Sequence, residues 1–160
     1  MKKQHNPIGS IWAKWDLHLH APGTKLNDQY RKSGESGDIW GEYLEILLKS
    51  DVSVFGITDY FSADGYNKLL SEIAARGLTT EKVFFPNIEF RLPTVTGRDN
   101  QEVNLHVLFD NSSEVVNRIP DFLASLKTHN KKANGTYSYC SKADLIALGY
   151  DKATVSLDDL

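Results

Sequence analysis

The run Val52-Ser53-Val54-Phe55-Gly56-Ile57-Thr58 constrains the fold more than any other segment. It is apolar and rich in β-branched residues, the pattern of a buried parallel strand. An amphipathic helix precedes it over Ile39 to Ser50, where Trp40, Tyr43, Leu44, Leu47 and Leu48 recur at helical spacing. Asp38 is placed to cap that helix. A second helix follows over Asp64 to Arg76, with Tyr66, Leu69, Leu70, Ile73 and Ala74 on one face and Gly77 as its stop. Asp64 is the expected cap of this helix. A buried strand between two such helices needs parallel partners and a covering layer, so the chain reads as α/β, layered or barrel-like.

The remaining segments extend the same alternation. Ile11 to His20 reads as a strand that sharpens into Trp15, Leu17, Leu19 and ends at Ala21-Pro22-Gly23. Thr24 to Asp38 is polar and reads as a long surface loop. Val83 to Phe90 is a third strand, and Pro86 within it predicts an edge, a bulge or an irregular end. A hairpin connection over Thr94 to Gln101 turns at Gly97-Arg98-Asp99-Asn100 and leads to a fourth strand, Glu102 to Phe109. Ser113 to Leu126 is helical, with a kink or late start expected from Pro120. Thr128 to Tyr139 reads as a polar loop. Ser141 to Leu148 is a short helix with Ser141 and Asp144 as a capping pair. Ala153 to Ser156 is extended, and Ser156 to Leu160 has the look of a helix beginning.

Composition bounds the function classes. The 160 residues are 41% hydrophobic and 24% charged, a globular profile expected of one domain spanning residues 1–160. A net charge of −3 argues against nucleic-acid binding by bulk positive charge and leaves a local basic patch open. The single cysteine, Cys140, excludes a disulfide framework and a Cys-rich zinc module, and fits a reducing cytoplasm. No apolar run approaches the ~20 residues of a membrane helix, so no membrane association is expected.

Four strand ends carry the candidate chemistry. In Asp16-Leu17-His18-Leu19-His20, strand alternation points His18 and His20 the same way and offers a metal two imidazole donors. Asp16, on the same face, could orient a ring nitrogen. Asp59 follows the buried strand at its C-terminal mouth, where parallel α/β folds bind ligands, although a turn or capping aspartate would look the same. Glu89 lies between Ile88 and Phe90, where a buried carboxylate needs a charge, a metal or solvent. His106 lies in Leu105-His106-Val107 and taken alone is as readily a core histidine. Together these residues are the mixed N/O donor set of a hydrolytic metal cluster, in which one ion acidifies water and another neutralises phosphoryl oxygens.

These segments resemble the N-terminal part of the PHP (polymerase and histidinol phosphatase) family. The matches are Asp16-Leu17-His18-Leu19-His20, Gly56-Ile57-Thr58-Asp59, Pro86-Asn87-Ile88-Glu89-Phe90 and Leu105-His106-Val107-Leu108, in order, across Trp15 to Phe109. The resemblance implies a distorted (β/α)7 barrel holding one to three ions of zinc, manganese or iron. It implies that His18, His20 and His106 ligate metal, that Glu89 bridges, and that Asp59 orients a ligand. Asp59 and Glu89 are then the candidate catalytic carboxylates.

Tyr60 stands where the family commonly has a ligand histidine, the loop Thr24 to Asp38 has no histidine, and the family's later ligands have no match. His129 reads as a loop residue. Lys14 to Pro22 and Gly56 to Tyr60 look most like PHP domains at the N-terminus of bacterial AAA- or SMC-like ATPases, several linked to DNA repair or phage defence. That likeness implies a nuclease or nucleotide phosphoesterase, with nucleic acid or another phosphoester as partner. It also implies an ATPase region beyond Leu160, since no P-loop is present here. About four of seven strand–helix units are supplied, so the length reads as a fragment, or as an open or truncated barrel. Arg91 or Arg98 could steady a phosphate, or be plain surface charge. Two other readings stay open: a scaffold or interaction module that has lost catalysis, and a small-molecule phosphatase of the histidinol phosphatase kind.

Overall fold

The computed structural model describes residues 12–30, 37–96 and 101–156. It is a mixed α/β fold whose main sheet is curled into half a barrel. The strands are β1 (Lys14–His20), β2 (Val52–Tyr60), β3 (Val83–Thr96) and β4 (Gln101–Leu108), in spatial order β1-β2-β3-β4. The first three are parallel and β4 returns antiparallel to β3. Helices α1 (Ile39–Lys49) and α2 (Asp64–Ala75) are the crossovers, and α3 (Ser113–Ser125) follows β4. Among the described residues no helix is long and apolar enough to cross a membrane.

Alternation along the strands divides the sheet into two unlike faces. Phe84, Ile88, Phe90 and Leu92 are buried on one face of β3, with Asn87, Glu89 and Arg91 on the other. The apolar face packs in two clusters. One joins Phe55, Ile57 and Phe84 to Tyr43, Leu44 and Leu47 of α1 and Tyr66 and Leu69 of α2. The other joins Ile88, Phe90 and Leu92 to Ile119 and Leu123 of α3 and to Leu145. Each fully buried Ile, Leu or Phe contributes about 1.5–3 kcal/mol, so these clusters hold the sheet against its helices. The polar face is left to carry chemistry.

Helix ends follow local rules in part. Asp38 caps α1 by accepting the Gly41 N–H at 3.0 Å, and Arg76 at the end of α2 pairs with both Asp38 oxygens at 2.6 and 2.8 Å. The Arg76 guanidinium, then the Gly41 N–H, hold the Asp38 carboxyl down to about 2. The expected cap of α2 is displaced by one residue. Ala63 occupies the N-cap without a side-chain bond, and Asp64 is the first helical residue, paired with Lys25 at 2.8 Å. Helix α3 starts at Ser113 and runs through Pro120, so the start is not late.

Several strands differ from the sequence expectation. The first begins at Lys14 rather than Ile11, which lies outside the described residues. The third runs on to Thr96, and the expected turn at 97–100 also lies outside the described residues. Pro86 is on an inner strand, not an edge. Its carbonyl accepts the Phe109 N–H at 2.9 Å on the β4 side, where the ladder has just ended at Leu108. The missing proline N–H faces that same side, so the β2–β3 ladder keeps its bonds and only the reciprocal bond to Phe109 is absent.

The expected loop over Thr128 to Tyr139 is a hairpin, β5 (Lys127–Lys131) and β6 (Tyr137–Tyr139), turning through Gly135 at φ 83°. Its buried face carries Thr128 and Ser138, with Thr128 Oγ1 donating to Ser138 O at 3.2 Å. Polar residues therefore fill the positions where apolar alternation would have signalled strands. Helix α4 (Lys142–Leu148) is capped as expected, Ser141 Oγ accepting the Asp144 N–H at 3.2 Å. A short 3₁₀ turn (Tyr150–Lys152) and an extended end at Val155 follow, and residues 157–160 lie outside the described set.

Candidate metal centre

The strand register assembles the centre. Tyr60 of β2 pairs with Glu89 of β3, and Glu89 pairs with His106 of β4, so one row crosses three strands. Neighbouring strands lie ~4.8 Å apart, within reach of side chains sharing a face. From β1, His18 and His20 lean over the same row.

A bulge lies beside His18. Between paired positions β1 advances from Asp16 to Leu19 while β2 advances only from Phe55 to Ile57. The extra residue turns the Leu17 carbonyl across Gly56, where a Cβ would lie 2.3 Å from that oxygen. Leu17 O accepts from Asn87 Nδ2 of β3 at 2.6 Å. Gly56 thus lets one strand's main chain reach across the next.

The bulge also breaks the expected alternation at Asp16. Its Oδ1 accepts the His18 backbone N–H at 3.2 Å, and the residue lines a cleft with Leu19, Tyr43 and Phe55. Asp16 therefore steadies His18 through the main chain and not through a ring nitrogen.

Glu89 is the hub. It is 1% exposed, its Oε1 accepts from Asn104 Nδ2 at 2.5 Å, and its Oε2 has no hydrogen-bond partner. His20 Nε2 lies 3.5 Å and His18 Nε2 3.8 Å from Oε2, while His106 Nε2 lies 3.9 Å from Oε1. The His18 and His20 Nε2 atoms are 3.2 Å apart. Two nitrogens on one tetrahedral zinc stand ~3.3 Å apart for bonds of ~2.05 Å, so this spacing already fits a shared cation. His18, Glu89 and His106 also offer ligand atoms all within 4.8 Å of one another. Two positions can be distinguished: one at His18, His20 and Glu89 Oε2, and one at His106 and Oε1. The first is better formed, because Asn104 already occupies Oε1.

The supporting hydrogen bonds fix ring orientation. Thr24 Oγ1 donates its one hydrogen to Asp59 Oδ1 at 2.8 Å, so toward His20 Nδ1, at 3.3 Å, it can only accept. His20 therefore carries its hydrogen on Nδ1 and presents a bare Nε2 to the centre. His18, whose side chain is 55% exposed, then supplies the hydrogen of the Nε2–Nε2 contact. Asn87 Nδ2 serves Leu17 O, Thr58 Oγ1 at 3.0 Å and His106 Nδ1 at 3.2 Å, three acceptors for two hydrogens. Burial, with His18 and His20 adding to it against Glu89, holds His106 below the ordinary imidazole value. With Nδ1 accepting from Asn87, the neutral ring carries its hydrogen on Nε2, so His106 would bind metal through Nε2 only after that hydrogen moves to Nδ1.

Asp59 stands behind this layer. It is buried, and Oδ1 takes the Lys25 and Tyr60 N–H groups and the Thr24 hydroxyl, each at 2.8 Å. Burial nonetheless raises its pKa. It reaches His20 through Thr24. Tyr60 is 5% exposed and stacks on His20, ring centroids 5.7 Å apart and planes 16° from parallel. Burial, then the Glu89 charge, raise its phenol pKa. The chain leaves β2 through Phe61 in the left-handed region, φ 51°.

The centre opens into a cavity of about 650 Å³ lined by His18, His20, Asn27, Tyr60, Glu89 and Asn104. Arg91 Nη1 donates to the Asp151 carbonyl at 2.5 Å, and Arg98 lies outside the described residues. His129 sits in β5, its N–H bonded to Thr154 O. Sequence reasoning missed Thr24, Asn87 and Asn104 as supports, since each acts on a residue distant in sequence. Comparison with protein-family models and with curated proteins finds no match. Fold and site together define a mixed α/β protein with a buried carboxylate ringed by imidazoles.

Proposed function

We propose that this centre binds divalent metal and hydrolyses phosphoesters, on part of a distorted (β/α)7 barrel of the PHP kind. The carrying observation is Glu89 Oε2, a buried carboxylate oxygen with no hydrogen-bond partner and two imidazole nitrogens within 3.8 Å. A buried unpaired charge is costly, and a cation among these donors offsets that cost. The donor set suits zinc, manganese or iron. Such a cation supplies Lewis acidity toward phosphoryl oxygens and lowers the pKa of water.

The chain's own residues provide the rest. His18, His20 and Glu89 hold the first position; His106 with Glu89 Oε1 is available for a second. Thr24 and Asp59 lock the His20 ring, and Asn87 steadies His106. The open polar cavity accommodates a phosphoester, and a nucleic acid or nucleotide is the substrate class favoured by the resemblance. An ATPase region in the natural protein and a cytoplasmic setting belong to the same reading.

Elemental analysis of the purified chain, with a generic phosphodiester assayed under added manganese, tests this. Bound metal and hydrolysis, both lost in His18→Ala, are expected. No metal at any ratio and no effect of His18→Ala would overturn the proposal and leave the scaffold reading. Preference for a monoester over DNA would instead favour the small-molecule phosphatase.

A further inference from the structure

We infer that β1 is a self-pairing edge: two copies of this chain join antiparallel, β1 against β1, with Trp15 on the twofold axis. β1 is the outer strand of the sheet, paired with β2 on one side and with no described strand on the other. An open edge presents unpaired N–H and C=O groups, a template for another strand, and is usually covered or blunted by charge. This one carries tryptophan: Trp12, just before the strand, is 98% exposed and Trp15 62%. Lys14 could blunt the edge, but Asp16 two residues on offers the opposite charge.

Charge complementarity selects the occupant and the register. Opposed residues share a face, so a twofold axis normal to the sheet falls on a residue. Centred on Trp15, it sets Lys14 of each copy against the partner's Asp16, and two such pairs flank a Trp15–Trp15 contact. Centred on Lys14 or on Asp16, it sets like charges against each other, which is unfavourable. Both groups are available. Lys14 is exposed and pairs with Asp51, and its ammonium keeps hydrogens for a second carboxylate. Asp16 accepts the His18 N–H on Oδ1 and has no cationic partner among the described residues. The strand bulge begins only beyond Asp16, so Lys14 to Asp16 stays in register. Four tryptophans at ~150–250 Å² each bury roughly 600–1,000 Å² and, with the strands themselves, reach the size of a weak specific dimer. Metal plays no part in this contact.

Sedimentation equilibrium of the purified chain, with a chelator present, tests this. A reversible dimer, half-formed at roughly 1–100 μM, is expected. Lys14→Asp and Asp16→Lys each set like charges across the axis and should weaken the dimer at least tenfold. Mixed together, the two variants present only opposite charges to each other and should form a heterodimer about as strong as the wild-type dimer. If either variant is unfolded by its melting curve, the exposed change Trp15→Thr carries the test, and at least a tenfold loss is expected. A wild-type chain that stays monomeric at every concentration, as when another segment covers the edge, overturns the inference. So does a dimer unmoved by the single changes, or a mixture of folded variants that forms no heterodimer.

Discussion

Replacing Gly56 by Ala should damage stability and the metal centre together. An added Cβ would stand 2.3 Å from Leu17 O, 2.8 Å from Leu17 C and 2.9 Å from Leu17 Cα. All three are main-chain atoms, so relief requires β1 to move away from β2 by most of an ångström. Overpacking of this kind costs about 1–3 kcal/mol. The Leu17 O bond to Asn87 Nδ2 would lengthen beyond use, at about 1 kcal/mol more. A loss of about 2–4 kcal/mol lowers the melting temperature by roughly 5–15 °C in a chain of this size. His18 follows Leu17 and would move with it, while Asn87 would lose one of the bonds that position it against His106. Metal affinity should therefore fall by more than the stability loss explains, since ligand geometry tolerates about 0.2 Å. Calorimetry gives the melting temperature, and imidazole NMR of the metal-free protein reports His18 and His106 directly. Gly135→Ala is the control: at φ 83° with open space around it, it costs about 1–2 kcal/mol without touching the centre. A Gly56→Ala protein with unchanged melting and unchanged histidine resonances would refute the reasoning.

Further outcomes follow from the same geometry. Thr24→Val removes the link from Asp59 to His20 and should weaken zinc binding about 10–100-fold by titration calorimetry, with the fold retained. Glu89→Gln should abolish metal uptake yet raise the metal-free melting temperature, because it removes a buried charge with an unpartnered oxygen. In ¹⁵N spectra, His18 should carry its hydrogen on Nε2 without metal and on Nδ1 with zinc, while His20 stays Nδ1–H throughout. Cys140 is buried and its thiol is pushed up to about 12 from 9.0. The folded state disfavours the thiolate, so stability is intact below pH 9 and declines as pH rises toward 12, by up to roughly 4 kcal/mol relative to Cys140→Ala in denaturant titrations.

What could be read from the sequence was what local pattern encodes. The apolar stripes of α1 and α2 and the buried run of β2 set the layers, and strand alternation brought His18, His20, Glu89 and His106 to one side. What could not be read depends on pairings between distant residues. Thr24 reaches Asp59 across 35 positions and Asn87 reaches Leu17 across 70, and neither threonine nor asparagine announces such a partner. The bulge at Leu17 was equally silent, since it needs Gly56 of the neighbouring strand, and it alone re-aims Asp16. The β5–β6 hairpin escaped notice because its buried face carries Thr128 and Ser138, the Thr128 hydroxyl bonded to the Ser138 carbonyl. Hydrophobic periodicity carries no trace of that.

The distribution of these departures bears on function. Glu89 Oε2, Asp59 Oδ2 and Asn87 Oδ1 are buried without hydrogen-bond partners, and all three sit on the polar side or the mouth of two adjacent strands. Phe61, a bulky residue in the left-handed region, stands immediately after Tyr60 at the same mouth. Each such feature costs on the order of 1–3 kcal/mol. The sheet's other face is otherwise apolar and closed by helices, although the buried Tyr43 hydroxyl of α1 there also lacks a hydrogen-bond partner. Folding alone would gain from Leu or Met at position 89 once Asn104, which donates to Glu89, were made apolar with it. A bare scaffold has no use for a carboxylate held dry among three imidazoles, whereas a cation would satisfy the carboxylate and the ring nitrogens at once. That asymmetry between the two faces is the physical reason for preferring a metal centre to a structural remnant.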